Sequence, residues 1–170
     1  KTRIANENIT ISLNQSTAAD KLMLALLVDA TYANKIGIGN GNIVLSSVEI
    51  NELNNGAKTA IKIIDAKADY SQGGFPVKNL VTGDNKKGWA TSSNLPENLG
   101  KNRYAVLQLE RPIKGKIEVT LKFQSKHAYH IPGRFDLKLS STNITPAEYA
   151  QARIKTIESF HKSRSVIFFS

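Results

Sequence analysis

The chain has 170 residues, 41% of them hydrophobic, and its 23 Lys and Arg against 14 Asp and Glu give a formal net charge of +9. This length and composition fit one soluble globular domain whose core needs no metal or disulfide for support. The absence of cysteine excludes disulfides, thiolate zinc sites, iron–sulfur clusters and cysteine nucleophiles. The longest apolar run, residues 22–28, is far shorter than a membrane span, so we expect no membrane insertion.

Alternating apolar and polar residues predict β-strands along most of the chain. The pattern is clearest at residues 116–124, where every second side chain is apolar, and it recurs at residues 134–140. Turn clusters rich in Gly, Asn and Pro separate the apolar segments. In chain order, the predicted strands are residues 9–13, 43–50, 59–64, 104–109, 116–124 and 134–140.

The apolar segment at residues 21–28, with the sequence KLMLALLV, does not alternate. Its residues favour a helix, and Ser16 or Thr17 is placed to cap one. Short apolar runs also occur in strands, so the local pattern leaves helix and strand open.

A helix is predicted at residues 145–162, where the start signals are complete. Thr145 is placed as the N-cap, Pro146 falls in the first turn, and Glu148 completes a capping box. Residues at helical spacing form an apolar stripe along this helix. The stripe consists of Ala150, Ile154, Ile157 and Phe160.

Short strands, frequent turns and the lack of helical segments between the strands predict one all-β domain at residues 1–144. Its expected architecture is an antiparallel β-sandwich or jelly roll. Residues 145–170 are expected to form a C-terminal helix and a tail, of which residues 166–169 are apolar. Such a tail is a liability unless it packs against protein. With a first residue other than Met, it predicts an excised fragment whose tail leads to a neighbouring domain.

The positive charge is concentrated in the second part of the sequence. Residues 1–100 carry a net charge of +1, whereas residues 101–170 carry +8. A basic region attracts anionic partners such as nucleic acid, anionic lipid or an acidic polymer. Lysines predominate over arginines and glutamates interrupt them, a pattern that disfavours nucleic acid. A solvated lysine-rich surface is the simplest interpretation.

Four short motifs occur in an order that is more specific than the strand pattern. They read GNGNIVL at residues 39–45, AKADYSQ at 66–72, GWA at 88–90 and HIPGRFDL at 130–137. Their order and spacing resemble the galactose-binding-like β-sandwich domain of planctomycete-type cytochrome c multidomain proteins. The resemblance implies a jelly roll in which residues 21–28 form a strand. It also implies a larger haem-bearing protein of the bacterial periplasm or cell envelope, although no haem is expected here because Cys-x-x-Cys-His is absent.

Two loops offer hard oxygen donors of the kind that calcium prefers. The resemblance implies a structural calcium near such loops, and the candidate ligands are Asn40, Asn42 and Asp84. Lys86 and Lys87 oppose such a site because they repel a cation. The alternative is that these Asn and Asp side chains form ordinary Asx-turns.

Function in a rigid sandwich is expected in the loops at one end. Sugars are bound by aromatic faces together with hydrogen bonds from polar side chains that converge on a pocket. The alternative places Phe75 and Tyr104 in the core and pairs Arg134 with Asp136 or Glu118 across the sheet. The candidates for carbohydrate contact are Tyr70, Phe75, Tyr104, His127, Tyr129 and Arg134.

The sequence lacks a specific catalytic motif, so we predict that the protein is not an enzyme. Asp65, Asp69 and Asp84 could form a carboxylate pair, but the loops look short for a deep cleft. There is no G-x-S-x-G elbow that would present a serine nucleophile. The predicted function is binding of a polysaccharide or other glycan, anionic if the +8 region contributes. The alternatives are an interdomain scaffold that contacts other domains of the same polypeptide and binds no sugar, or a hydrolase.

Overall fold

The computed structural model describes residues 7–83, 87–91, 98, 100–126 and 128–165, with side chains up to residue 159. These residues form mostly antiparallel β-sheet followed by one long helix. The strands are β1 (Glu7–Leu27), β2 (Val44–Leu45), β3 (Ser47–Asn54), β4 (Ala57–Ile61), β5 (Ile63–Ala68), β6 (Trp89–Ala90), β7 (Arg103–Phe123) and β8 (Arg134–Ser140). The helices are α1 (Asn79–Thr82) and α2 (Pro146–Ser165), with a 3-10 turn at Ala30–Tyr32.

β1 and β7 are each 21 residues long and pair with each other over nearly their whole length. The pairing runs from Glu7 opposite Phe123 to Leu26 opposite Arg103, with two register shifts between residues 15 and 21. A shift of one residue exchanges the two faces of a strand. The core-facing positions of β1 therefore change from odd numbers before the shifts to even numbers after them.

A ten-residue connection forces these long strands to bend. At roughly 3.3 Å per residue, a straight β7 would span about 66 Å. Residues 124–133 join its end to β8, and this connection reaches about 40 Å at most. Yet β8 pairs with the end of β1 that lies beside the start of β7. The two ends of β7 must therefore lie much closer together than a straight strand allows.

The bend divides the strands into two arms. The first arm has the order β4-β3-β7-β1, and the second has the order β5-β7-β1-β8, because different halves of β1 and β7 serve each arm. Ile117 and Val119 of the first arm belong to the same buried cluster as Leu24 and Leu107 of the second. The predicted all-β antiparallel sandwich with a C-terminal helix is thus confirmed.

In the second arm, the end of β1 is buried on both faces, which explains the unbroken apolar run at residues 21–28. In β1, Leu24 faces the shared core, whereas Ala25 packs in a second cluster beneath α2. Tyr149 of α2 contacts Tyr104 edge to face in this cluster, with 5.6 Å between the ring centroids. A strand covered on both sides has no solvent-facing positions, so its sequence does not alternate. The strand interpretation of this segment is confirmed.

Helix α2 begins as predicted. The backbone N–H of Thr145 donates to Glu148 Oε2 at 2.8 Å, and the backbone N–H of Glu148 donates to Thr145 Oγ1 at 3.2 Å. These reciprocal bonds form the capping box and satisfy two helix-terminal donors.

The packing face of α2 differs from the predicted stripe. Ile154 is 53% exposed and Ile157 is 44% exposed, whereas Tyr149, outside the stripe, is buried. The sandwich covers only the first turns of the helix, so the two isoleucines of the stripe are largely exposed. The side chain of Phe160 and the apolar tail at residues 166–169 lie outside the described residues.

Two predicted strands are divided in the structure. The segment at residues 43–50 breaks at Ser46, whose backbone N–H donates to the carbonyl of Lys122 at 2.8 Å. Ser46 therefore separates β2, which pairs with β6, from β3, which pairs with β7. The segment at residues 59–64 is likewise divided, since β4 pairs with β3 and β5 pairs with β7.

Gly88 provides a test of the close packing beside the short β2–β6 sheet. Its φ is +65°, and a Cβ on this residue would lie 2.4 Å from the carbonyl oxygen of Leu45. We predict that Gly88→Ala lowers the free energy of unfolding by at least about 2 kcal/mol, because backbone strain and steric overlap add. Urea denaturation measures the loss.

Gly83→Ala is the matched control for Gly88→Ala. Gly83 has a φ of +73°, but no atom of the described residues lies within 4 Å of a Cβ built there. The expected loss is about 1 kcal/mol, from the left-handed backbone alone. Equal losses at the two glycines would contradict the close approach at Gly88.

Candidate functional site

A groove of about 620 Å³ lies at the β2–β6 sheet, beside the segments that follow β5 and β7. Val44 of β2 and Ala90 of β6 contribute its apolar surface, together with the ring of Phe75. The remaining lining side chains are polar and come from four separate segments of the sequence. They are Asn40, Asn42, Gln72, Lys87, Gln124, Ser125, Lys126 and His130.

The turn before β2 is held by the side chains of its two asparagines. Asn40 Oδ1 accepts the backbone N–H of Asn42 at 3.0 Å, which is an Asx-turn. Asn42 Oδ1 accepts the backbone N–H of Ile43 at 2.8 Å, and Asn42 Nδ2 donates to Gln72 Oε1 at 3.1 Å. Gly37 must be glycine here, because a Cβ would lie 2.3 Å from the carbonyl oxygen of Asn42. The GNGN motif therefore shapes one part of the groove.

Backbone hydrogen bonds fix the loop that carries Phe75. The N–H of Phe75 donates to the carbonyl of Gln72 at 2.9 Å, which closes a turn around Gly74 at φ +80°. The N–H of Gln72 donates to the carbonyl of Ala90 at 2.9 Å, and the N–H of Ala90 donates to the carbonyl of Phe75 at 3.2 Å. Two backbone hydrogen bonds thus hold the loop against β6, and they position the half-buried ring of Phe75 in the groove.

The segment after β7 is attached to the same sheet. The backbone N–H of Gln124 donates to Ser46 Oγ at 2.9 Å, and the N–H of Val44 donates to the carbonyl of His130 at 3.2 Å. Between these anchors, Lys126 is exposed. Lys87 is the second exposed lysine of the groove, and no carboxylate occurs among the described lining residues. The groove is therefore electropositive in its described part.

Three of the nine predicted site residues lie together in this groove: Asn40, Asn42 and Phe75. Tyr104 does not, because it is buried beneath α2 against Tyr149. The ring of Tyr70 lies under the guanidinium of Arg103, 4.3 Å from ring centroid to Cζ. Tyr104 is thus a core residue, as the alternative interpretation of the sequence predicts. The ring of Tyr70 is in contact with a neighbouring arginine and does not line the groove.

The other predicted ligand contacts lie elsewhere or outside the described residues. Tyr129 has a φ of +65° and packs closely against Gly39. Arg134 is exposed at the start of β8, and its expected partner Asp136 instead accepts from Arg153 at 3.1 Å. The other expected partner of Arg134, Glu118, pairs with Lys58 at 2.6 Å. His127 and Asp84 lie outside the described residues.

The described donors do not fit a calcium ion. Calcium takes six to eight oxygen ligands. The side-chain oxygens of Asn40 and Asn42 already accept backbone N–H groups, and two lysines line the same groove. Within the described residues there is no group of three or more His, Asp or Glu side chains that could hold a metal ion. The Asx-turn alternative describes Asn40, whereas the Asn42 side chain accepts from the next residue, Ile43.

A partly buried carboxylate lies at the end of β5, outside the groove. Asp69 Oδ1 accepts the backbone N–H of Tyr104 at 2.7 Å, and Asp69 Oδ2 lies 3.7 Å from Arg103 Nη1. Burial raises the pKa of Asp69, although the hydrogen bond and Arg103 act in the opposite direction. Asp65 differs, because the hydrogen bond from Lys78 lowers its pKa. Neither carboxylate lines the groove, so they form no acid and base pair there.

Sequence reasoning missed most of the polar lining of the groove. Gln124 and Ser125 belong to no motif, Gln72 ends the second motif without being predicted as a site residue, and the three come together only through the fold. His130 begins the fourth sequence motif and Lys87 is named as a charge opposing calcium, but neither is predicted as a contact for carbohydrate. The basic region at residues 101–170 was the one signal that pointed toward Lys126.

The raised pKa of Asp69 predicts an unusual pH dependence of stability. Between the unfolded value near 3.8 and the raised folded value, the folded state binds more protons than the unfolded state. The parent protein therefore loses stability relative to Asp69→Asn as the pH rises through this window. Chemical denaturation at several pH values from about 3 to 6 measures the difference.

Asp65→Asn is the control with the opposite sign. The folded pKa of Asp65 is lowered, so its contribution to stability is present above the unfolded pKa and is lost as the pH falls. The parent protein should therefore gain stability relative to Asp65→Asn as the pH rises. A parallel pH dependence for the two variants would contradict the assignment for Asp69.

The comparisons with known proteins add no family to this description. No family model, curated protein or solved structure matches the chain. Among the described residues, no helix is both long enough and apolar enough to cross a bilayer.

Proposed function

We propose that this protein is a non-catalytic carbohydrate-binding module and that the groove at the β2–β6 sheet is its polysaccharide site. The observation that carries the proposal is the composition of the groove. One aromatic ring, Phe75, lies among amide, hydroxyl, imidazole and ammonium groups. Sugars present apolar ring faces edged by hydroxyl groups, so their recognition needs an aromatic face beside several hydrogen-bonding side chains.

The rigidity of the groove supports a binding role. Its segments are connected through backbone hydrogen bonds to the β2–β6 pair, so the groups that would contact a ligand are already in place. Preformed sites lose less entropy when a ligand binds. Two of the three carboxylates considered for a hydrolase lie outside the groove and next to a basic side chain. Asp65 pairs with Lys78, and Asp69 lies beside Arg103.

We place the module in a larger haem-bearing protein of the bacterial periplasm or cell envelope. The support for this placement is the resemblance of the four sequence motifs to the galactose-binding-like domains of planctomycete-type cytochrome c proteins. All four motifs contribute to the groove, through Asn40 and Asn42 in the first, Gln72 in the second, Ala90 in the third and His130 in the last. In this setting the module would hold its parent protein on an extracellular polysaccharide.

Phe75 provides the direct test of the site. We predict that Phe75→Leu lowers affinity for a retained polysaccharide by roughly tenfold, or about 1.4 kcal/mol, because the aromatic face is lost while most of the volume stays. Affinity electrophoresis in gels containing neutral and acidic polysaccharides measures retention.

Tyr32→Leu is the matched control for Phe75→Leu. Tyr32 is an aromatic residue that is 38% exposed and lies outside the groove. Its replacement should leave retention unchanged. No retention of the parent protein in any gel, or equal effects of the two variants, would contradict the proposed site.

The second candidate function is an interdomain scaffold. It is favoured by the exposure of Ile154 and Ile157 on α2, beside a groove of about 440 Å³ that also contains Met23, Ile144 and Tyr149. The occupant would be an acidic surface of an adjoining domain of the same polypeptide, because exposed Lys155 lies on the same part of the helix.

The scaffold interpretation requires that this apolar surface contributes little to the domain itself. We predict that the double variant Ile154→Ser, Ile157→Ser changes the free energy of unfolding by less than about 0.5 kcal/mol. Tyr149→Ala, which removes a buried ring from the same helix, should cost about 3 kcal/mol. A large loss in the double variant, measured by urea denaturation, would show that the isoleucines are covered by this domain.

A further inference from the structure

We propose that the groove selects an acidic sugar, binding the anionic oxygen group through the amide nitrogens of Asn40 and Gln72 together with the ammonium groups of Lys87 and Lys126. This inference rests on the proposed carbohydrate function and adds the ligand's charge and the groups that recognise it. The carboxylate of a uronic acid and the sulfate of a sulfated sugar share this chemistry, since both present several acceptor oxygens and a negative charge.

The orientation of the amide groups follows from their hydrogen bonds. Gln72 Oε1 accepts from Asn42 Nδ2 at 3.1 Å, so the other end of this amide, its NH₂ group, is the end left for a ligand. Asn40 Oδ1 accepts the backbone N–H of Asn42 at 3.0 Å, which leaves the NH₂ group of Asn40 in the same way. A side-chain amide carries two donor hydrogens on its nitrogen and one acceptor oxygen, and here each oxygen already accepts one internal bond.

The two lysines of the groove, like the NH₂ groups of the two amides, offer hydrogen-bond donors to a ligand. An ammonium group has three donors and no acceptor, and Lys87 and Lys126 both line the groove with exposed side chains. Donors from two amides and two lysines therefore meet in one groove whose described lining contains no carboxylate. Such a site satisfies an oxyanion, whereas a neutral hydroxyl group, which is also a donor, would use only part of it.

The same orientation argues against a cation as the ligand. A calcium site would need the amide oxygens of Asn40 and Asn42, which are engaged with backbone N–H groups. Binding of the acidic sugar should therefore persist in EDTA. A requirement for calcium would overturn the proposal.

The experiment compares polymers that share a backbone and differ in charge. The probes are polygalacturonate against its methyl ester and dextran sulfate against dextran, with dissociation constants measured by titration calorimetry on the full chain in EDTA. At least one charged polymer should bind roughly tenfold or more tightly than its neutral counterpart, and added salt should weaken this binding. Equal binding of both members of each pair would overturn the proposal.

Gln72→Glu tests the amide polarity directly. A glutamate oxygen can still accept the hydrogen bond from Asn42, so the turn is kept while the donor facing the ligand becomes a negative acceptor. We expect at least tenfold weaker binding of the acidic polymer. Gln151→Glu is the control. Gln151 is exposed on α2, away from the groove, and its substitution changes the net charge by the same amount. Equal effects of the two variants would overturn the assignment.

The lysines are tested in the same assay. Lys87→Gln combined with Lys126→Gln should weaken binding of the acidic polymer and reduce its salt dependence, whereas Lys62→Gln combined with Lys114→Gln changes the net charge equally on other exposed positions. If only the neutral polymers bind, the proposed carbohydrate-binding function is supported and the proposed preference for an acidic sugar is overturned. If no polysaccharide binds, or if single-stranded DNA binds more tightly than the acidic polysaccharides, the proposed function itself falls.

Discussion

The pairing of β1 with β7 is the interaction on which the rest of the fold depends. Each strand serves both arms of the sandwich, so one continuous ladder connects the two layers that enclose the core. The short connection between β7 and β8 is compatible with this ladder only if the strands bend. The bend brings the end of β7 back to the loops near β2 and β6, where the groove is formed. The groove is therefore a consequence of the long ladder.

The sequence carries good information about the local structure and little about how strands are joined. Alternation identifies the part of β7 near Val119, where one face is covered, and the capping residues Thr145 and Glu148 identify the start of α2. Alternation fails in β1 around Leu24, because the sandwich core and α2 cover both faces of the strand there. The register shifts that join its two halves depend on partners about a hundred residues away.

The candidate site could be predicted only in part, for a similar reason. Asn40 and Asn42 were visible in a motif, and Phe75 lies beside a glycine turn. Gln124 and Lys126 belong to no motif, and they enter the groove because the fold brings distant segments to one short sheet. The role of an asparagine also depends on which end of its amide the backbone occupies. For Asn40 this orientation is set locally, because its side-chain oxygen accepts the backbone N–H of Asn42 two residues later.

The position of β1 in the sheet also bears on how the chain folds as it is made. Every ladder partner of β1 among the described residues belongs to β7 or β8, so Leu26 pairs with Arg103 and no earlier residue. A polypeptide that emerges from its N-terminus must therefore carry an apolar strand without a mate until most of the domain has been synthesised. Ladders between such distant residues form slowly. The ladders of β1 can therefore be completed only after β7 and β8 have been synthesised.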